Sequence, residues 1–160
     1  MCSSDLINQL ASICQKIPDT NIDDIAQTIG LDPRIGNLFL DAGPGYGGSC
    51  LPKDMKAIIN LSSTVGVKQT RLNDVEKINK QQINNIIEVI KQNSGKIKGK
   101  KITVLGVAFK PNTDDIRDST SIELIRRLIK LDAVITIHDP KALDNRSEER
   151  RVGKECRSRW

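Results

Sequence analysis

Residues 101–138 read KITVLGVAFKPNTDDIRDSTSIELIRRLIKLDAVITIH, and this stretch decides the fold class. Its two apolar runs, residues 101–107 and 134–138, are typical of strands buried on both faces. Between them, Thr120 and Glu123 have the spacing of a capping box ahead of an amphipathic helix over residues 122–131. A strand, a helix and a second strand in this order predict a right-handed βαβ unit with parallel strands, and hence an α/β fold class.

The sequence before residue 99 has a helical pattern instead. Apolar residues at helical spacing predict four helices, and the fourth is long enough that we expect part of its apolar stripe to face another subunit. Asn21 is the expected cap of the second helix and Gly30 its C-terminal stop. The predicted helices cover residues 6–15, 22–29, 52–66 and 73–93.

Composition excludes several classes of protein. No apolar run approaches the roughly 18 residues that span a bilayer, and no signal peptide is recognisable, so we expect a cytoplasmic protein without membrane contact. The formal charge is +5, but residues 146–160 supply six Lys or Arg against three Asp or Glu, which leaves +2 for the rest. Without a basic stripe and interleaved aromatics, we expect no nucleic-acid binding.

Both ends of the chain differ from the sequence between them. Residues 146–160, RSEERRVGKECRSRW, have no periodicity, and residues 1–6 are equally uncharacteristic. We expect both segments to be non-native or disordered. The four cysteines form no CxxC pair, so they predict neither a metal site nor a disulfide framework. Cys14 lies on a helical apolar pattern and is expected to be a buried small hydrophobe.

Cys50 has different surroundings, because it lies within GPGYGGSCLPKD, residues 43–54. Gly47 and Gly48 permit close approach of the backbone to a ligand. Cys50 stands at a helix entry, where free N–H groups and the helix dipole stabilise a thiolate, and Lys53 and Asp54 follow in the first turn. Such a thiol can attack an aldehyde. The alternatives are a structural cysteine beside a plain turn, or an anion cradle without a nucleophile.

The same dodecamer resembles the active-site signature of the UDP-glucose/GDP-mannose dehydrogenase family, and within it the UDP-glucose enzymes. IGLDPRIG, KKITVLGVAFKPNTDDIRDS and HDPKA resemble further family segments, at residues 29–36, 100–119 and 138–142. The resemblance covers about residues 7–143. It implies an all-helical central dimerisation domain over residues 7–94, followed by the first βαβ unit of a Rossmann-like, UDP-sugar-binding domain over residues 95–145.

The resemblance implies NAD-dependent oxidation of UDP-glucose to UDP-glucuronate through a thiohemiacetal and a thioester on Cys50. It gives Asp54 the handling of protons and water, and Lys53 the stabilisation of the oxyanion. It places Arg117 near NAD, and it implies a homodimer or higher homo-oligomer. The residues that it implies for binding the sugar nucleotide are Arg34, which it places in the substrate site of a neighbouring subunit, and Phe39, Leu40, Tyr46, Gly47, Phe109 and Lys110.

The chain also departs from the family pattern. It has no GxGxxG after a strand, since Gly106 is a single glycine, so we expect no NAD reduction by this chain alone. GDP-mannose or another nucleotide sugar is the alternative substrate, although DPRIG and the Ser49–Cys50 pair favour UDP-glucose. The alternative functions are a non-catalytic helical oligomerisation module and a nucleic-acid-binding fragment driven by the basic tail.

Overall fold

A computed structural model describes residues 3–142 of the chain. It has five helices and a two-stranded parallel sheet in the described residues, which confirms the mixture of helices with a small parallel sheet. Residues 3–6 belong to the first helix, whereas residues 1–2 and 143–160, including the basic tail, lie outside the described part. The elements are α1 (Ser3–Cys14), α2 (Ile22–Gly30), α3 (Leu51–Thr64), α4 (Thr70–Ser94), β1 (Lys101–Leu105), α5 (Thr120–Lys130) and β2 (Val134–His138).

The described chain forms two compact units. The first contains the residues up to Gly45 together with Met55–Asn85, and the second contains Tyr46–Asp54 and the residues from Ile86 onward. The short segment Tyr46–Asp54, which carries Cys50, therefore belongs to the second unit although the residues on both sides of it belong to the first. The predicted domain boundary between residues 94 and 95 stays a prediction.

The first unit is helical, with Ile7, Leu40, Val75 and Ile83 among its buried side chains. The side chain of Asn21 accepts the N–H of Asp23 at 2.9 Å, which confirms Asn21 as the cap of α2. The predicted stop at Gly30 is wrong, because α2 includes Gly30 and is capped by Leu31 in a right-handed conformation. A Cβ atom at Gly30 would overlap the side-chain oxygen of Asn37, so that side chain would have to move.

The second unit contains the predicted βαβ arrangement. β1 and β2 pair in parallel, with Lys101 opposite Val134 and Leu105 opposite His138. β2 has the predicted bounds. β1 ends two residues earlier than predicted, because Gly106 turns the chain with a φ of +90° and donates its N–H to the carbonyl of His138 at 2.8 Å.

Two details of the predicted βαβ unit are wrong. The strands are not buried on both faces in the described structure: Leu105 is 77% exposed, and burial along β2 alternates, with Ile135 and Ile137 buried. This alternation is typical of a sheet covered on one face, and α5 packs against β2. The capping box is also absent, because α5 begins after Ser119, and the Glu123 carboxylate accepts from Arg127 at 2.8 Å instead.

None of the helices within residues 3–142 has the length and apolar character needed to cross a membrane.

Candidate active site

Cys50 directly precedes α3, and its backbone carbonyl accepts the N–H of Asp54 at 2.9 Å, the first hydrogen bond of the helix. The thiol therefore lies at the end of the helix where the first N–H groups lack partners and where the dipole favours negative charge. The side chain is exposed, and the Ser49 hydroxyl lies 3.7 Å from its Sγ. A ligand can therefore reach this thiol.

Lys53 and Asp54 form an ion pair in the first turn of α3. The Nζ of Lys53 lies 3.3 Å from Oδ1 of Asp54, and the two side chains are 71% and 65% exposed. A pair this exposed is weak, with a typical stabilisation of about 0–1 kcal/mol. Either group can therefore exchange its partner for a ligand at little energetic cost.

Gly47 and Gly48 bring the backbone before Cys50 against the loop that follows β1. A Cβ atom on Gly47 would overlap the carbonyl oxygen of Asp118, and one on Gly48 would lie 2.6 Å from Cδ2 of Phe109. Gly48 also has a φ of +87°, a conformation that side chains disfavour. We predicted that these glycines allow the backbone to approach a ligand closely. Within the described residues, they allow it to approach the chain's own loop after β1 instead.

Phe109 and Lys110 lie on that loop. The N–H of Phe109 donates to the carbonyl of Asp115 at 3.0 Å. The ammonium of Lys110 lies 5.4 Å from the centre of the Phe109 ring, within range of a cation–π interaction. Within the second unit, the Phe109 ring therefore contacts Gly48, two residues before Cys50, and Lys110 lies over that ring.

Both arginines predicted to contact ligands are held by an aspartate two residues earlier. Arg117 donates its backbone N–H and Nε to Oδ1 of Asp115, at 2.9 and 3.0 Å, and Arg34 makes the same two bonds to Asp32 at the same distances. Hydrogen bonds from Arg117 hold the pKa of Asp115 at about 2, below its ordinary 3.8, and those from Arg34 lower the pKa of Asp32. Each guanidinium has its charge balanced by a neighbouring carboxylate.

The remaining predicted residues differ in their surroundings. In the first unit, Leu40 is 3% exposed, whereas Phe39 is 70% exposed and has a φ of +64°, which is uncommon for an aromatic residue. Tyr46, in the second unit, is half-buried. Arg34, Phe39 and Leu40 thus belong to the first unit, and the other predicted site residues belong to the second.

Asn8 holds the start of the glycine-rich loop that precedes Cys50, a contact that the sequence pattern did not predict. It is 4% exposed on α1, and its side-chain oxygen accepts the N–H of Gly43 at 2.8 Å. Further along the loop, a Cβ atom on Gly45 would overlap the side-chain oxygen of Asn79. An asparagine inside an apolar helical pattern was the available signal, because buried amides are usually hydrogen-bonded.

Asp139 was also missed, although it lies in the HDPKA segment. Its carboxylate is buried and accepts four backbone N–H groups. Burial by itself raises the pKa of this group, but the N–H groups of Val107, Ala142, Lys141 and Ala108 favour the charged form and lower the pKa to about 2. The signal in the sequence was an aspartate directly after a predicted strand, a position from which a carboxylate can reach backbone N–H groups of neighbouring loops.

The βαβ unit does not have the features of an NAD site. A dinucleotide fingerprint has three glycines after its first strand and an acidic residue that accepts from the ribose. Here Gly106 is the single glycine in VLGVAFK, and the acidic residue after β2, Asp139, is already hydrogen-bonded to backbone. The described residues therefore do not fit NAD at this unit.

Two family models match the chain. The central domain of the UDP-glucose/GDP-mannose dehydrogenase family matches residues 4–81, and the UDP binding domain of the same family matches residues 103–158.

Curated relatives carry related names. The UDP-glucose 6-dehydrogenase of Rickettsia felis is 44% identical over 140 residues, which are 87% of this chain and 31% of that protein. The enzyme of the same name from Rhizobium meliloti is 41% identical over 150 residues, covering 87% of this chain and 32% of the relative. The chain thus spans about a third of the length of these relatives.

Solved structures show the same fold. A UDP-glucose dehydrogenase from Pyrobaculum islandicum aligns with a TM-score of 0.91 and 29% identity, over 99% of this chain and 36% of that one. A GDP-mannose dehydrogenase from Pseudomonas aeruginosa aligns with a TM-score of 0.67 and 24% identity, over 97% of this chain and 37% of that one.

Proposed function

Since the chain belongs to the UDP-glucose/GDP-mannose dehydrogenase family, we propose that it serves the NAD-dependent oxidation of UDP-glucose to UDP-glucuronate, with Cys50 as the nucleophile. The observation that carries this proposal is the exposed Cys50 thiol at the N-terminus of α3. Gly47 and Gly48, which pack against the loop that carries Phe109, lie just before Cys50. The names of the relatives favour UDP-glucose over GDP-mannose as the substrate.

Cys50 acts on the aldehyde that the first oxidation produces. The thiolate forms a bond to the aldehyde carbon, the carbonyl π electrons move to oxygen, and that oxygen takes up a proton to give a thiohemiacetal. Lys53 leaves its exposed pair with Asp54 to stabilise the developing negative charge on oxygen. After the second oxidation yields a thioester, Asp54 accepts a proton from the attacking water, the carbon–sulfur bond breaks, and the carboxylate leaves.

NAD would accept the hydride in both oxidations. The βαβ unit of this chain does not fit a dinucleotide bound at its strand ends, so we assign it no dinucleotide fingerprint and only a peripheral contact from its loop after β1. Arg117 is the residue of this chain that we propose to lie near NAD. Its exposed guanidinium is suited to an anionic group, once that group replaces Asp115 in the fork.

We propose a set of residues that contact the sugar nucleotide. Lys110 supplies a cation to a phosphate, and the Phe109 ring supplies an apolar surface. Arg34 has the fork geometry for a second anionic contact. Phe39, Leu40, Tyr46 and Gly47 complete the proposed set.

The test uses this chain and the 6-aldehyde of UDP-glucose. A thiohemiacetal hides the thiol, so iodoacetamide alkylation of Cys50 and Cys14 is followed in one sample by peptide mass spectrometry. We expect the aldehyde to slow alkylation of Cys50 and to leave Cys14, on α1, unchanged. Equal alkylation of Cys50 with and without the aldehyde would contradict the proposal.

Two comparison ligands decide the substrate class. The 6-aldehyde of GDP-mannose should protect Cys50 only at higher concentration, and glucose 6-aldehyde without a nucleotide should protect it least. Better protection by the GDP-mannose compound would reverse the substrate assignment. UDP-glucose itself is an alcohol at C6 and controls for protection by binding alone.

We also propose that the first unit forms a homo-oligomer. Ile58, Leu61 and Val65 share one face along and just after α3, and they are 50%, 61% and 63% exposed. An apolar stripe of this kind is typical of a protein interface. Leu61→Lys should lower the mass measured by sedimentation, whereas Asn60→Lys, which adds the same charge beside the stripe, should not. An unchanged mass in Leu61→Lys would exclude this face as the interface.

A further inference from the structure

Asp139 joins two loops of the second unit through one carboxylate. Its Oδ2 accepts the N–H of Val107 at 2.8 Å and of Ala108 at 3.2 Å, both in the loop after β1. Its Oδ1 accepts the N–H of Lys141 at 2.8 Å and of Ala142 at 2.7 Å, in the turn after β2. A carboxylate offers about four acceptor positions, so all of them are used within the chain.

This use differs from the usual role of an acidic residue at the end of the second strand of a dinucleotide-binding βαβ unit. There the carboxylate accepts from ribose hydroxyls. A ribose hydroxyl at Asp139 would have to displace a backbone N–H and leave that buried group without a partner, which is unfavourable. The carboxylate is therefore suited to holding the loop after β1 and not to holding a ligand.

The loop after β1, which Asp139 holds, contacts the backbone just before the candidate nucleophile, Cys50. Val107 and Ala108 are followed by Phe109, whose ring lies against Gly48. Gly48 is two residues before Cys50. Every contact in this series lies within the second unit.

We propose that Asp139 is a positioning residue that fixes the Phe109 loop against Gly48 and thereby fixes the backbone leading to Cys50. Its importance for catalysis rests on the proposed function, but the positioning itself does not. The positioning of the loop by Asp139 can therefore be tested without measuring catalytic turnover.

The test is hydrogen–deuterium exchange of this chain, followed by mass spectrometry of its peptides. Asp139→Asn keeps the shape of the side chain but replaces one acceptor oxygen by an NH₂ donor that faces backbone N–H groups. Two lost hydrogen bonds predict that exchange rises about tenfold or more in the peptides covering residues 46–54 and 105–112. The matched control is Asp132→Asn, the same change at the other end of β2, where the carboxylate forms an exposed ion pair with Lys98 at 3.4 Å.

The peptide covering α5 separates positioning from general destabilisation. If Asp139 only stabilises the unit, exchange in Asp139→Asn rises in α5 as much as in residues 46–54, and the proposal is overturned. It is also overturned if residues 46–54 keep the protection of the unaltered chain. Faster exchange in residues 46–54 and 105–112, with α5 unchanged, supports it.

A second variant decides the matter if Asp139→Asn does not fold. Phe109→Ala removes the ring from Gly48 but leaves the four bonds to Asp139. We expect faster exchange in residues 46–54 and unchanged exchange in residues 137–142. Unchanged exchange in residues 46–54 of this variant would overturn the proposal.

Protection of Cys50 by the 6-aldehyde of UDP-glucose connects the inference to function. In Asp139→Asn, the aldehyde concentration that half-protects Cys50 should rise about tenfold, in line with the loss of one positioned contact. If the unaltered chain shows no protection, the proposed function fails, while the exchange data still decide whether Asp139 positions the loop.

Discussion

The ring of Phe109 lies so close to Gly48 that a Cβ atom on Gly48 would be 2.6 Å from Cδ2 of the ring. The same glycine has a φ of +87°. Space and backbone conformation therefore both require glycine two residues before Cys50. The contact joins Gly48 to the loop after β1, shortly before Cys50 and the start of α3.

The first prediction concerns Gly48→Ala. A positive φ costs an alanine about 1–2 kcal/mol, and displacement of a packed ring adds about 1–3 kcal/mol. We therefore expect the free energy of unfolding, measured in urea, to fall by roughly 2–5 kcal/mol.

Gly106→Ala is the control for Gly48→Ala. Gly106 belongs to the same unit and has a φ of +90°, but a Cβ atom there would meet nothing within 4 Å. The free energy of unfolding of this variant should fall only by the cost of the positive φ, about 1–2 kcal/mol. Equal losses in the two variants would show that the contact with Phe109 adds nothing.

The second prediction concerns acid. The pKa of Asp139 is about 2 in the folded chain against an ordinary 3.8, so its contribution to stability is complete above pH 3.8 and is lost as the pH falls from there towards 2. A shift of this size corresponds to about 2 kcal/mol. Urea unfolding at pH 5 and pH 3 should show a smaller loss of stability in Asp139→Asn than in the unaltered chain. The same loss in both would mean that Asp139 does not titrate as described.

The third prediction concerns Phe39, which has a φ of +64° and is 70% exposed. Asparagine tolerates this conformation better than an aromatic residue, so Phe39→Asn should raise the free energy of unfolding by about 1 kcal/mol. The matched control is Leu38→Asn, next to it and 77% exposed, which should give no gain. A gain in both variants would trace the effect to removal of exposed apolar surface. A stable Phe39→Asn with a lower affinity for sugar nucleotide would mean that the strain is retained for binding.

The fourth prediction concerns Asn8. Asn8→Leu removes the acceptor for the N–H of Gly43 and should destabilise the chain by about 1–3 kcal/mol. Asn60→Leu makes the same change on the exposed surface of α3 and should alter stability by less than about 0.5 kcal/mol. Thermal unfolding measures the change in stability of each variant. Equal changes in Asn8→Leu and Asn60→Leu would contradict the expected strength of the bond to Gly43.

Local patterns in the sequence predicted most of the elements. The helical spacing of apolar residues placed all four helices of the N-terminal part, and the apolar run over residues 134–138 gave the bounds of β2. The cap at Asn21 was also predictable, because an asparagine side chain reaches the N–H two residues later. These features depend on residues close in sequence.

The errors arose where the sequence pattern did not identify the partner that a residue contacts. Gly30 looked like a helix stop, but the side chain of Asn37 decides its role. Thr120 and Glu123 had capping-box spacing, yet Glu123 pairs with Arg127. The role of Asp139 depends on Val107, at a sequence separation that no local pattern encodes. The position of Cys50 just before α3, and those of Lys53 and Asp54 in its first turn, were predictable from one segment, whereas the contact of that segment with Phe109 was not.

The arginine forks of Arg34 and Arg117 have a consequence for ligand selection. Each guanidinium already holds a carboxylate tethered two residues away, so the chain carries its own competitor for any anion. A ligand carboxylate with a single charge would replace the carboxylate of Asp32 or Asp115 with an equivalent group. It would also lack the advantage that these aspartates have from being in the same chain. A phosphate group with greater charge and more acceptor oxygens can win this exchange. If Arg34 and Arg117 bind ligands as proposed, we therefore expect the two Asp-x-Arg segments to favour phosphorylated ligands over simple organic acids.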